Sequence, residues 1–215
     1  MQTSHSTFQL AGFTVHQITF DSATYSDADL LWLPHHPQFA NAGRKRKTDH
    51  LAGRIAAAWA LQSLGISAVP AVGINGEPLW PEGINGSITH SGDLAMAIVS
   101  ENPLTGIDCE AILSENEASE IKEGIVDAAE DALLQNSGFP FPLALTLTFS
   151  AKESLFKALF PHVNAFMGFE TARVTSLTDH NLQLTLCQSL AGFPQNHTFT
   201  LFWCRIDHAV VTLIA

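Results

Sequence analysis

Apolar and polar positions change period several times along the chain, and each change marks an element. Residues 9–20, QLAGFTVHQITF, are rich in β-branched and aromatic side chains and read as a strand. The stretch TDHLAGRIAAAWALQSLG then switches to helical spacing, with Leu51, Ile55, Ala58 and Leu61 on one face. Thr48 is placed to cap that helix and Gly65 to stop it. Gly and Pro punctuate GINGEPLWPEGINGS as a looped region. SITHSGDLAMAIVS reads as a β-hairpin turning at Ser91-Gly92-Asp93, and TGIDCE follows as a further strand. Residues 113–137 are acidic and helical in pattern, and TFSAKESLFKALF predicts a second helix. NLQLTLCQ, TFTLFWCRI and AVVTLIA close the chain as strands. This order predicts an α+β fold rather than a regular βαβ series.

Composition narrows the picture. With 215 residues, 46% of them hydrophobic and 14% charged, the chain is globular, either one large domain or two small ones fused. MQTSHSTFQL has neither the basic nor the apolar region of a signal peptide, and polar residues, Gly65 and Pro70 interrupt the oiliest span, so no transmembrane segment is expected. Three scattered cysteines, Cys109, Cys187 and Cys204, make no zinc or disulfide pattern and suit a reducing, cytoplasmic compartment. A net charge of −11 argues against nucleic acid. Yet four of the ten Lys and Arg stand together as Arg44–Lys47, with Arg54 close behind and Lys152 and Lys157 as another pair. That clustering fits the grip on a small polyanion as well as it fits a solvated basic loop.

TGIDCE raises a sharper question. On a strand, Asp108 and Glu110 share one face and Cys109 takes the other. Carboxylates about 6.5–7 Å apart repel, so one holds a proton, both sit in open water, or a cation binds between them. FSAKESLFKA alone is explained by helix chemistry: Ser150 and Glu153 match a capping box, and Glu153 and Lys157 an i, i+4 ion pair. SITHS alone is equally weak, because a single histidine in a hairpin is commonly structural.

Together, SITHS, GIDCE and FSAKESLFKA, in this order and spacing, resemble the three signature motifs of the 4′-phosphopantetheinyl transferases, in the surfactin/enterobactin-type branch. KRKTDHLAGRIAA, GEPLWPEGINGSITHS and LALTLTFSAKES extend the likeness over roughly residues 44 to 160. The resemblance implies a monomer of two similarly folded α+β halves in pseudo-twofold arrangement, residues 1–104 and 105–215, with the active site in the cleft between them. It implies transfer of the phosphopantetheine arm of coenzyme A to a carrier-protein serine, with release of 3′,5′-ADP. Asp108, Glu110 and Glu153 then surround Mg²⁺, with Glu153 taken from a helix N-terminus. Lys157 contacts phosphate, with Lys152 beside it as a second cation, and Arg46, Arg54 and His90 contact coenzyme A. Glu153, or a water held at the metal, is the implied general base. Cys109 replaces the usual aliphatic residue, and Glu77 stands where some relatives carry a basic nucleotide contact.

The resemblance implies a carrier of nonribosomal peptide, polyketide or fatty-acid synthesis, and the branch it points to favours siderophore synthesis. Two rival readings use the same residues differently: a metal-dependent phosphodiesterase, and a non-catalytic carrier-binding module.

Overall fold

Two-residue turns build most of the strands into antiparallel hairpins. The structure, a computed structural model, describes residues 1–215, which divide into two compact units, Met1–Thr105 and Gly106–Ala215.

In the first unit, β1 (Gln2–Leu10) and β2 (Phe13–Asp21) pair around Ala11-Gly12. Both loop residues have positive φ, 51° and 85°, the backbone that a tight hairpin requires. Residues 9–20 are therefore not one strand but two, and the pairing begins well before the hydrophobic run. After short 3₁₀ turns comes α1 (Arg44–Ser63), N-capped by Gly43. Thr48 is not the cap: it lies one turn inside and its hydroxyl donates to Lys45 O. The other end follows expectation. Gly65 has φ 76°, and Gly65 N and Ile66 N donate to Gln62 O and Leu61 O, so the helix ends in a Schellman motif.

Two short strands, β3 (Ala71–Val72) and β4 (Pro78–Leu79), punctuate the looped region. Next, β5 (Asn85–Ser91) and β6 (Leu94–Ser100) turn at Gly92-Asp93. The sheet order is β1-β2-β6-β5. Because β6 has neighbours on both edges and α1 across one face, its oily run LAMAIVS is an interior strand. Ala52, Ala56, Ala57 and Ala60 pack on Ile18, Phe20, Ala95 and Ala97, and these small side chains let α1 lie close to the sheet.

The second unit opens with β7 (Gly106–Ala111), continues through α2 (Glu115–Ile121), α3 (Ala128–Gln135) and α4 (Phe141–Val163), and closes with β8 (Ala172–Leu177), β9 (Asn181–Leu186), β10 (Thr198–Ile206) and β11 (Ala209–Ile214). The sheet order is β7-β11-β10-β9-β8, all antiparallel, with α4 packed on β7 and β11. Residues 113–137 form two short helices, each with its own capping box, at Ser114/Glu117 and Asp127/Glu130.

The larger correction concerns α4, which begins at Phe141 rather than near Thr148. Ser150 is consequently no cap. It is fully buried, and its hydroxyl meets that of Thr212 at 2.9 Å. Glu153 stands in mid-helix, not at an N-terminus. Thr146 and Thr148 satisfy their hydroxyls on the carbonyls of Pro142 and Ala144 one turn back, which lets these β-branched residues sit inside a helix.

Candidate active site

The carboxylates of β7 owe their setting to a missing side chain. Gly106, Asp108 and Glu110 alternate onto one face of the strand. A Cβ added at Gly106 would overlap the backbone oxygen of Ser154 and crowd Ala158, so α4 crosses β7 at a distance only glycine permits. Ser154 also hydrogen-bonds across to β11, its hydroxyl donating to Thr212 O at 3.0 Å and meeting the Thr212 hydroxyl at 2.7 Å. Thr212 is the cross-strand partner of Asp108. These bonds fix which part of α4 faces the acidic strand.

At that crossing Lys157 donates to Asp108 Oδ1 at 2.7 Å and to Ile107 O at 3.0 Å. Asp108 is only 4% exposed. The Lys157 ammonium therefore pairs with Asp108 across the interface, although Glu153 lies one helical turn away on its own helix. Burial and the Asp108 charge push Glu110 up to about 7, with Glu153 adding and Lys157 opposing. Glu153 is also raised, first by burial and then by Asp108, with Lys157 again opposing. The Asp108 charge thus acts on both glutamates, and the Lys157 ammonium opposes it.

A raised carboxyl pKa has a stability consequence. A group that binds its proton more tightly in the folded state stabilises fully below its unfolded pKa and loses that contribution as pH rises through its folded value. For Glu110 this window runs from about 4.5 to about 7. Without divalent cation, the thermal midpoint is expected to fall across this window, and added Mg²⁺ should restore it above pH 7. Melting curves whose pH dependence is the same with and without Mg²⁺ would count against the cluster.

Cys109 is buried on the opposite side of β7, and burial together with the neighbouring carboxylates pushes its thiol up to about 12. It is a small core side chain.

Lys152 does not stand beside Lys157. Its ammonium lies 2.8 Å from Glu130 Oε1 and donates to Ile125 O and Phe169 O. These contacts match its three N–H groups, so none is left for a phosphate. Contrary to the expectation from sequence, Lys152 is therefore a core ion-pair residue and not a phosphate contact.

The other candidate residues gather in the first unit. A cavity of about 590 Å³ is lined by Lys45, Arg46, Asp49, His50, Arg54 and His90, among others. Arg54 is buried, donates to Pro70 O and Ala71 O, and is lowered by burial only to about 10, so it remains charged at neutral pH. His90 Nδ1 lies 3.8 Å from Asp49 Oδ2, which also pairs with Lys45.

Four cations occupy the first turn of α1, with no acid among them. Cations there oppose the helix dipole by about 0.3–1 kcal/mol each, so their concentration suits an anion bound nearby. Arg44 turns back to Ser22 O, Ala23 O and Tyr25 O, and Lys47 to Asp27. Arg46 and Lys45 line the cavity.

Glu77 accepts from Asn75 N at 2.9 Å and folds over Gly73, so its own turn holds its charge. Lys45 belongs to the basic cluster that the sequence marks, whereas Asp49 and His50 are cavity residues that the sequence does not single out. Their spacing is the available signal, since Lys45 and Asp49, and Arg46, His50 and Arg54, recur four residues apart along one side of α1.

No three His, Cys, Asp or Glu side chains stand close enough together to hold a metal ion as they are placed. The donor chemistry of Asp108, Glu110 and Glu153 nevertheless fits a hard cation. All are oxygen ligands, and Glu110 and Glu153, raised by burial and then by the Asp108 charge, would be drawn to their ionised forms by positive charge between them.

The chain is similar to known proteins along its whole length. Residues 35–100 match the 4′-phosphopantetheinyl transferase N-terminal domain, and residues 105–198 match the 4′-phosphopantetheinyl transferase superfamily. Enterobactin synthase component D of Salmonella typhimurium is 45% identical over 215 residues, covering 100% of this chain and 91% of the relative. The Escherichia coli K12 protein of the same name is 43% identical over 213 residues, covering 99% and 98%. The 4′-phosphopantetheinyl transferase PptT of Mycobacterium tuberculosis is 34% identical over 154 residues, covering 66% and 64%. Two family matches that together span most of the chain, and relatives similar over its full length, show that the chain belongs to the 4′-phosphopantetheinyl transferase superfamily and is a transferase.

Proposed function

We propose that this chain transfers the 4′-phosphopantetheine arm of coenzyme A to a serine of an apo carrier protein, releasing 3′,5′-ADP in a Mg²⁺-dependent reaction. The observation that carries this reading is the meeting of Asp108 and Glu110 on β7 with Glu153 and Lys157 on α4. The names of the full-length relatives point to siderophore synthesis, and hence to a carrier domain of a nonribosomal peptide synthetase. No helix is long and apolar enough to cross a membrane. The proposed protein acts as a cytosolic monomer, which sedimentation as a 23.2 kDa species checks.

In the proposed chemistry, the serine oxygen attacks the phosphorus that bears the pantetheine arm. The bond from that phosphorus to the bridging oxygen breaks, and 3′,5′-ADP leaves. Asp108, Glu110 and Glu153 would hold Mg²⁺, which supplies positive charge to the pyrophosphate. Glu153, half-buried beside the same carboxylates, takes the serine proton directly or through a water that it orients. Lys157 lies beside the same carboxylates and offsets charge developing on the leaving phosphate. Arg46, Arg54 and His90 hold the phosphates of the 3′,5′-ADP half. Buried Arg54 is the anchor, because its backbone bonds pre-set its direction.

The direct test incubates the protein with Mg²⁺, coenzyme A and an apo carrier and follows the carrier by mass spectrometry. Gain of one phosphopantetheine arm is expected. Hydrolysis of coenzyme A without that gain would favour a phosphodiesterase, and carrier binding without it a non-catalytic module. The cation assignment makes a second prediction. Charge-assisted hydrogen bonds contribute roughly 1.5–3 kcal/mol each, so coenzyme A should bind about ten- to a hundredfold tighter than its dephospho form. Equal affinities in calorimetry would remove the 3′-phosphate from the cavity.

A further inference from the structure

Lys152 is a buried charge whose bonds all go to protein groups. Lys152 and Glu130 are 3% and 4% exposed, and every polar atom of the pair has a partner. Lys152 reaches Glu130 Oε1, Ile125 O and Phe169 O. Glu130 also accepts from Val174 N through Oε1 and, through Oε2, from Asp127 N, the cap of its own helix. One ion pair thereby ties α4 to α3, to the turn before it and to the start of β8. Such a pair is a poor source of net stability, since apolar residues of similar volume commonly do as well. Its value lies in direction.

Glu153 sits between two sets of bonds made by different faces of α4. On one face, Ser150 and Ser154 bind Thr212, and Lys157 binds Asp108. On the other, Lys152 binds Glu130. A helix held on one face only is free to roll about its axis. Side-chain tips lie about 5–6 Å from that axis, so a roll of roughly 10° moves a carboxylate by about 1 Å. Misplacement on that scale costs on the order of a hundredfold in rate.

We infer that Lys152 and Glu130 are positioning residues for the transfer reaction: their buried pair fixes the rotation of α4 and so aims Glu153 at the Asp108–Glu110 face. The inference rests on the transferase reading of that face. Neither residue touches substrate, and both act through Glu153.

The experiment compares the wild type with Glu130→Asp, which keeps the charge but shortens the reach, with Lys152→Arg, and with the double variant Lys152→Met/Glu130→Gln, which removes both charges. Each is checked for folding by thermal melting, for coenzyme A affinity by calorimetry, and for kcat, KM and the Mg²⁺ concentration giving half-maximal rate. Both Glu130→Asp and the double variant are expected to stay folded at the assay temperature, with coenzyme A affinity within about threefold of wild type. Their kcat should fall roughly ten- to a hundredfold, and more Mg²⁺ should be needed. Lys152→Arg should recover most of the rate, because a guanidinium still reaches Glu130. Folded variants with wild-type kcat and Mg²⁺ requirement would overturn the inference and leave the pair a simple fold staple. Loss of folding in every variant would overturn it as well, since the pair would then serve folding rather than aim. A wild type that transfers nothing would instead defeat the transferase reading itself.

Discussion

Asp108→Ala is expected to abolish transfer almost completely while leaving the protein folded. Asp108 is the most buried of the three acidic side chains and the partner of Lys157. Burial raises both Glu110 and Glu153, and the Asp108 charge raises them further. Removing it takes away a ligand for the proposed cation and the bond that fixes Lys157, so charge developing on the pyrophosphate loses two means of compensation. Loss of one such preorganised group costs roughly two to three orders of magnitude in kcat, and coupled loss should reach the upper end. Stability should change little. The lost ion pair is offset by relief of carboxylate repulsion, and Lys157, 26% exposed, reaches water. Near-normal turnover of Asp108→Ala at saturating Mg²⁺ would sink the site. The same variant should bring the Glu110 and Glu153 carboxyls down toward ordinary values, which NMR titration without Mg²⁺ would follow.

Gly106→Ala should damage both fold and activity, by one route. The added methyl has no room, because the obstacle is helix backbone at Ser154, and backbone does not swing aside like a long side chain. Overpacking of this kind costs about 1–3 kcal/mol, occasionally more, which lowers the melting temperature of a chain this size by several degrees. α4 must lift from β7, and that movement takes Glu153 and Lys157 away from Asp108 and Glu110. A fall in kcat of about a hundredfold is expected even where the protein is fully folded. Wild-type melting together with wild-type kcat would show that the close crossing is not needed.

Much of this arrangement is written locally. The hairpin at Gly92, the stop at Gly65 and the shared face of Asp108 and Glu110 each depend on a few neighbouring residues, whose backbone preferences and side-chain alternation act over one turn or one strand. Boundaries were less legible. RKRK carries no apolar period, so the true start of α1 at Gly43 was hidden by charge and Thr48 drew the cap instead. Ser150 and Glu153 match a capping box, and whether such a pair caps a helix or lies within one depends on the segment before it. Here LALTLT was already helical, with its threonines bonded to their own preceding turn.

The amino-acid sequence by itself determined the periods of the elements, the turns that join them, the clustering of positive charge in an acidic chain and the acidic face of β7, because each is a property of residues close along the chain. Only the tertiary structure decided what those charges meet. Lys157 chose Asp108 on another element over Glu153 on its own helix, and Lys152 found Glu130 rather than a phosphate. The physical reason is that burial makes an unpaired charge costly. Partners are therefore set by which faces pack together, here by the room at Gly106 and the bonds to Thr212, and that packing joins residues far apart in sequence.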